Sequence, residues 1–356
     1  SKQNLFVDSI NNMRISISNF NPKNYAFTLD FFYRFIFEQY IEKNLTSINK
    51  INVISDKYFS ALPFELLIIN GDRDDNNKFI QKENNDYKYL IQKYNFSYFP
   101  SISSFVELES KNKILTANSS FLGIGNPKFA KINTNDSEKL NRVEKIFLNN
   151  RGFINNSRKI NERYTEIPFT EKELKAISPL FNFSKLLLGN NANEENIKKL
   201  DLKKYDVISF ATHAEVAGEF DDFNEPFLVM TPPETGSEIN DGLITASEIS
   251  ELDLNTKLII LSACNTASKE NKYSEGFTGL INSFFIAGTD SVIATHWPVE
   301  DKAGYLLMSE TLKKIINNNF STSEALRKTK LEFIDGKYGE EFKKPFYWAP
   351  YILIGN

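Results

Sequence analysis

The only cysteine of the chain, Cys264, lies in the stretch "LIILSACNTA" at 258–267, where an apolar run gives way to polar residues. His213, one of two histidines, sits the same way in "VISFATHAE" at 207–215. A thiol and an imidazole brought together make an acyl-transfer pair. A free thiol, with a pKa of about 8.5, is only about a few per cent thiolate at neutral pH. An imidazole of pKa about 6.5 can take the proton on attack and return it to a leaving amine. The tetrahedral intermediate needs hydrogen-bond donors, and backbone N–H groups at two strand ends can supply them. Taken singly, each residue has a plainer reading: a lone cysteine is usually buried packing, and a lone histidine at a strand end is usually structural.

The elements that must bring the pair together are legible after Ser97. Short apolar runs recur at "FLGIG" (121–125), "KLLLG" (185–189), "VISFA" (207–211), "LIILSA" (258–263), "SVIAT" (291–295) and "YILIG" (351–355). They are rich in Leu, Ile and Val and do not alternate with polar residues, as expected of strands buried on both faces. Helix signals lie between them. "TEKE" (170–173), "TASE" (245–248) and "STSE" (321–324) have capping-box spacing. "GFTGLINSFFIAG" (276–288) and "AGYLLMSETLKKII" (303–316) have helical apolar spacing. This alternation predicts an α/β fold with a mostly parallel sheet and helices on both faces. In such a sheet function gathers at the carboxyl ends of strands, and neighbouring strands lie about 4.8 Å apart. His213 and Cys264 each follow a strand, so they can meet if those strands are adjacent.

The first 48 residues read as helical, with Phe27, Phe31, Phe35, Ile36 and Tyr40 at three-to-four spacing. Residues 51–69 read as two short strands around a turn, followed by a polar loop at 70–77. The polar stretch 128–166 reads as a long excursion between the first two core strands, and its Arg151, Arg158 and Arg163 are candidate self-cleavage sites.

The bulk numbers exclude several classes. The chain has 356 residues, 41% hydrophobic, and a net charge of −4 from 42 basic and 46 acidic residues. That balance gives no footprint for nucleic acid or an acidic membrane surface. One cysteine allows no internal disulfide framework and fits a reducing, cytoplasmic setting. One Cys and two His cannot build the usual zinc clusters, and "DRDD" (72–75) lacks calcium-loop spacing. "GIGNP" (123–127) has no P-loop lysine. No metal or other cofactor is expected.

Nine segments in order resemble the CHAT domain, a caspase-like cysteine peptidase module related to caspases, metacaspases, gingipains and separase. They are "ALPFELL" (61–67), "SYFPSISS" (97–104), "FLGIGNP" (121–127), "LLLGNNANEENIK" (186–198), "VISFATHAE", "DGLITASEI" (241–249), "LIILSACNTA", "SVIATHWPVED" (291–301) and "PFYWAPYILIG" (345–355). The resemblance implies a caspase-like catalytic domain over 116–356. It implies that residues 1–115 form the helical and β-hairpin N-terminal part of the module. It implies His213 as general acid/base, Cys264 as nucleophile, and the backbone N–H groups of Ala214 and Cys264 as oxyanion donors. Caspases have Gly where this chain has Ala214, a mild departure. His296 is read as a strand-end histidine packed near Trp297, with Glu300 and Asp301 solvated or capping a helix from about Ala303.

Metacaspases that cut after a basic residue carry an acid two positions before the cysteine. This chain has Ser262 there, leaving Asp206, Glu215, Asp241 and Glu248 as further pocket candidates. The implied function is a cysteine endopeptidase cutting a specific protein, in bacterial defence or regulated cell death. An activating partner or an upstream sensor or repeat region is expected to switch it on. The start at Ser1 without methionine is read as a fragment. The alternative is a silent scaffold module of the same fold.

Overall fold

The computed structural model describes residues 2–18, 22–38, 41–42, 47–55, 59, 62–76, 78–82, 86–111, 114–129, 164–215, 225–233, 240–262 and 273–356. Two helices open the chain, α1 (Lys2–Ser18) and α2 (Pro22–Phe32), the second continued by a wider turn at Tyr33–Glu38. Strand β1 (Lys50–Val53) follows, then a small hairpin, β2 (Asp72–Arg73) and β3 (Phe79–Ile80). Next come β4 (Asn95–Tyr98), α3 (Ile102–Glu109) and β5 (Ser120–Gly125). The remainder is α4 (Pro168–Ile177), β6 (Phe183–Leu188), α5 (Glu194–Lys198), β7 (Val207–Ala211), β8 (His213–Glu215), β9 (Phe227–Val229), β10 (Leu243–Thr245) and α6 (Ala246–Ser250). The last elements are β11 (Leu258–Leu261), α7 (Tyr273–Ala287), β12 (Ser291–Thr295), α8 (Asp301–Asn318), α9 (Thr322–Ile334), α10 (Pro345–Trp348) and β13 (Tyr351–Gly355).

Eight strands form one sheet in the order β1-β4-β13-β12-β11-β7-β5-β6. Every neighbouring pair is parallel except β12–β13. Strands β7, β11, β12 and β13 are buried along their whole length, which is why they read as unbroken apolar runs. The mostly parallel α/β sheet expected from the sequence is present. On it α4, α8 and α9 pack on one another in turn, and α6 packs on α7 as a separate group. A second sheet, β10-β9-β8, is antiparallel and leaves the main sheet just after β7.

Several local readings change. Among the described residues, 51–69 give one strand, β1, and a 3-10 turn at Phe64–Leu66. A hairpin instead begins within the stretch read as polar loop, at Asp72–Arg73, and returns just beyond it at Phe79–Ile80. β1 and β4, from the first 115 residues, extend the main sheet through β13, so the two parts of the chain share one sheet. Capping boxes form at Thr245/Glu248 and Ser321/Glu324, but not at Thr170/Glu173. Pro168 starts that helix earlier, as its fixed φ and missing N–H favour. Thr170 therefore lies inside α4, and its hydroxyl donates to the Ile167 carbonyl at 2.6 Å.

Candidate active site

The register of the central strands brings the ends of β7 and β11, the strands that precede the two predicted catalytic positions in sequence, to one edge. Leu258–Leu261 of β11 pairs in parallel with Val207–Phe210 of β7. Leu261 lies opposite Phe210, an offset of 51 (261 − 210), which equals the separation of Cys264 from His213 (264 − 213). Cys264 itself lies outside the described residues, as do Arg151, Arg158 and Arg163.

His213 opens β8, two residues past the end of β7. The Thr212 hydroxyl donates to the Val229 carbonyl and ties this turn to β9. The imidazole packs against Tyr164 and Phe129, at ring separations of 5.0 and 5.8 Å. Its Nε2 is 2.8 Å from the Thr165 carbonyl oxygen. A carbonyl can only accept, so Nε2 carries the proton and Nδ1 keeps the lone pair. Burial lowers the pKa of this imidazole below its ordinary value, and the Thr165 hydrogen bond only partly offsets that. The ring is therefore neutral at pH 7, the state a general base requires.

Beside it lies a cavity of about 220 Å³, bordered by His213, Thr212, Ser262, Glu173, Thr295 and Asp301 among others. No Lys or Arg is among its described lining residues. Ser262 follows β11, and its hydroxyl donates to Glu173 Oε1 at 2.8 Å. Glu173 reaches the strand ends because β5 carries glycine where α4 crosses it. A Cβ on Gly125 would fall 2.7 Å from Leu174 Cδ1 and 2.9 Å from the Ala211 carbonyl. Burial pushes the Glu173 carboxyl up to about 8, with the negative charge of Asp301 adding to it and the Ser262 hydroxyl opposing it. Asp301 is itself raised, chiefly by burial. Its Oδ2 accepts the Phe169 N–H at 3.1 Å, while Glu300 caps α8 through the Ala303 N–H at 2.8 Å. Glu300 thus caps α8 as expected, whereas Asp301 is the first residue of α8 and accepts from α4 instead; both border the cavity.

Of the pocket candidates only Ser262 borders this cavity. Asp206 precedes β7 at the opposite edge of the sheet. There it accepts from the Ser120 N–H at 2.9 Å and pairs with Lys257 at 3.1 Å. These contacts outweigh burial and hold its carboxyl below the ordinary range. Glu215 is buried on β8 and accepts the Tyr164 hydroxyl at 2.8 Å. The carboxyl of Asp241 accepts the Leu243 N–H, and its own N–H donates to Glu194. Glu248 serves its capping box and pairs with Lys198. Ala214 is buried in β8 opposite Leu228. His296 is buried between Tyr98 and Trp297, as the packing reading expects.

Two contributors escaped sequence reasoning. Thr165 acts through its backbone, which leaves no side-chain signature. Glu173 had a signal, a Thr three residues before it, but that signal pointed to a helix cap. Among the described residues no cluster of His, Cys, Asp and Glu is arranged to hold a metal, and no helix is long and apolar enough to cross a membrane.

Solved structures similar to this chain include the separase–securin complex of Saccharomyces cerevisiae. That likeness has 16% identity and a TM-score of 0.47, over 88% of this chain and 16% of that one. Another is the Arg-specific cysteine proteinase gingipain R, with 9% identity and a TM-score of 0.47, over 94% of this chain and 68% of that one. Tetratricopeptide repeat protein 28 of mouse is 23% identical over 220 residues, and its human counterpart is 23% identical over 217. Each match takes in 53% of this chain, but this chain spans less than a tenth of those relatives. The family model described as CHAT domain matches residues 28–356, and on that match the chain belongs to the CHAT domain family.

Proposed function

We propose that the protein is a cysteine endopeptidase with Cys264 as nucleophile and His213 as general acid/base. The observation that carries this reading is the shared offset of 51, with a neutral, carbonyl-anchored imidazole at one of the two positions. In the proposed cycle Nδ1 of His213 accepts the thiol proton as sulfur attacks the scissile carbonyl. The same proton then passes to the departing amine, and water, deprotonated by Nδ1, releases the acyl group. The backbone N–H groups of Ala214 and Cys264 stabilise the oxyanion. The catalytic unit is 116–356, with 1–115 as the N-terminal part of the same module.

The substrate is a specific protein, in bacterial defence or regulated cell death in the cytoplasm, and a partner or sensor region switches the enzyme on. Family membership and the cavity beside His213 support peptide hydrolysis.

The test is cleavage of a fluorogenic peptide library by the parent chain, Cys264→Ala and His213→Ala. Cleavage by the parent alone supports the pair. Cleavage that persists in Cys264→Ala sinks it. A scaffold would give silence in all three, together with a Cys264 thiol that no partner makes reactive.

A further inference from the structure

We propose that the cavity beside His213 takes a cationic side chain of the substrate, lysine or arginine, held between the carboxyl groups of Glu173 and Asp301. This deepens the peptidase reading and rests on it, since His213 must then face the cleaved bond. The volume sets the scale of the ligand. About 220 Å³ is several times the ~30 Å³ that one water occupies, and below the ~300–1,000 Å³ of sites for whole small molecules. One long side chain suits it.

The chemistry follows from which groups are already committed. The Thr170 and Thr212 hydroxyls donate to the Ile167 and Val229 carbonyls, the Ser262 hydroxyl to Glu173, and His213 Nε2–H to the Thr165 carbonyl. The N–H groups where α4 and α8 begin are taken too, that of Phe169 by Asp301 and that of Ala303 by Glu300. An anion finds no donor among these. Acceptors remain. Glu173 is 2% exposed and uses Oε1 for Ser262, while Asp301 uses Oδ2 for Phe169. Among the described residues neither Glu173 Oε2 nor Asp301 Oδ1 has a hydrogen-bond partner.

No Lys or Arg stands in the described lining to balance these two carboxyls. Lys172 acts on Asp301 from outside the lining, its ammonium standing over the Phe169 ring at 4.0 Å from the centroid. Burial therefore keeps the proton on Glu173 up to about 8, and a cation between the two groups reverses that by favouring the charged form. A guanidinium or ammonium brings several N–H donors and the missing positive charge together.

N-acetyl-arginine amide and its uncharged isostere N-acetyl-citrulline amide would be titrated into Cys264→Ala, so that no turnover is needed. Calorimetry follows binding, and the ring-nitrogen signals of His213, which borders the same cavity, report where it occurs. The arginine compound should bind at least about tenfold tighter than the citrulline one, the size of a hydrogen bond to a charged group. Glu173→Gln and Asp301→Asn in the same background should each erase most of that difference, with circular dichroism showing that they fold. Equal binding of the two compounds overturns the proposal, as does binding of neither. An arginine preference that survives both substitutions overturns it too, because the cation then sits elsewhere. The peptide library separates this proposal from the dyad. Cleavage retained in Cys264→Ala sinks the dyad, whereas cleavage by the parent with no preference for a basic residue sinks only this pocket.

Discussion

His213 Nε2 stands 2.8 Å from the carbonyl oxygen of Thr165, so the main chain fixes the tautomer of the imidazole. The proton is on Nε2, and the basic nitrogen is Nδ1. Nitrogen NMR of the labelled protein should show this tautomer at pH 7, with protonation only below the ordinary histidine range because burial lowers the pKa. A protonated ring at pH 7 would contradict it. Removing the ring in His213→Ala should cost about 10²- to 10⁴-fold in kcat/KM, the usual contribution of a positioned base.

The proton held by Glu173 also links stability to pH. Its carboxyl is raised in the folded state from the ordinary 4.5 to about 8. Between those values the folded chain binds a proton that the unfolded chain has lost, so this group lowers stability as pH rises through that window and adds no further change above it. Glu173→Gln should match the parent near pH 4.5 and exceed it by about a few kcal/mol at pH 8. Urea titrations at the two pH values measure the difference. Equal stability at pH 8 would mean that the carboxyl ionises normally.

Asp206 is a structural anchor at the far edge of the sheet. Asp206→Ala would strand the Ser120 N–H and break the Lys257 pair, at a cost of about 1–3 kcal/mol. Residue preference at the cleaved bond should be unchanged. A changed preference in a peptide library would show that this carboxylate reaches the substrate after all.

The buried ammonium of Lys330 joins α9 to the loop at Glu65 and to the Tyr351 carbonyl, and Tyr98 donates to the same Glu65 carboxyl at 3.1 Å. Lys330→Ala leaves Glu65 buried without its cation, which should cost about 3–5 kcal/mol. Lys330→Met combined with Glu65→Gln removes both charges and should cost clearly less. Denaturant midpoints of the parent and the two variants give the comparison. A single-site loss no larger than the double-site loss would mean that the pair is not coupled.

His296 offers a control. Its ring is buried against Tyr98 and Trp297, and its Nε2 has no hydrogen-bond partner among the described residues. Burial, reinforced by the charges of Arg14 and Lys330, keeps it neutral. His296→Phe should leave the pH profile of cleavage unaltered. A shifted profile would return this residue to the list of candidate bases.

The core strands were legible because they are buried on both faces and leave no choice of register face. "VISFA", "SVIAT" and "YILIG" form strands with the bounds read from sequence. Two of the three capping boxes were legible too, since a cap is a contact within four residues. The sequence by itself also singled out His213 and Cys264, by rarity and by matched positions after strands. Pairing across the chain was another matter. That β7 and β11 are neighbours with an offset of 51, that β1 and β4 join the sheet through β13, and that Asp206 faces the wrong edge all depend on strand order. Strand order is settled by packing between distant segments, which no local pattern encodes. Glu173 shows the same limit on a smaller scale. Its spacing from Thr170 suggested a cap, but Pro168 began the helix earlier. Close packing on Gly125 then carried the carboxyl to the strand ends, where burial rather than its own chemistry sets its charge.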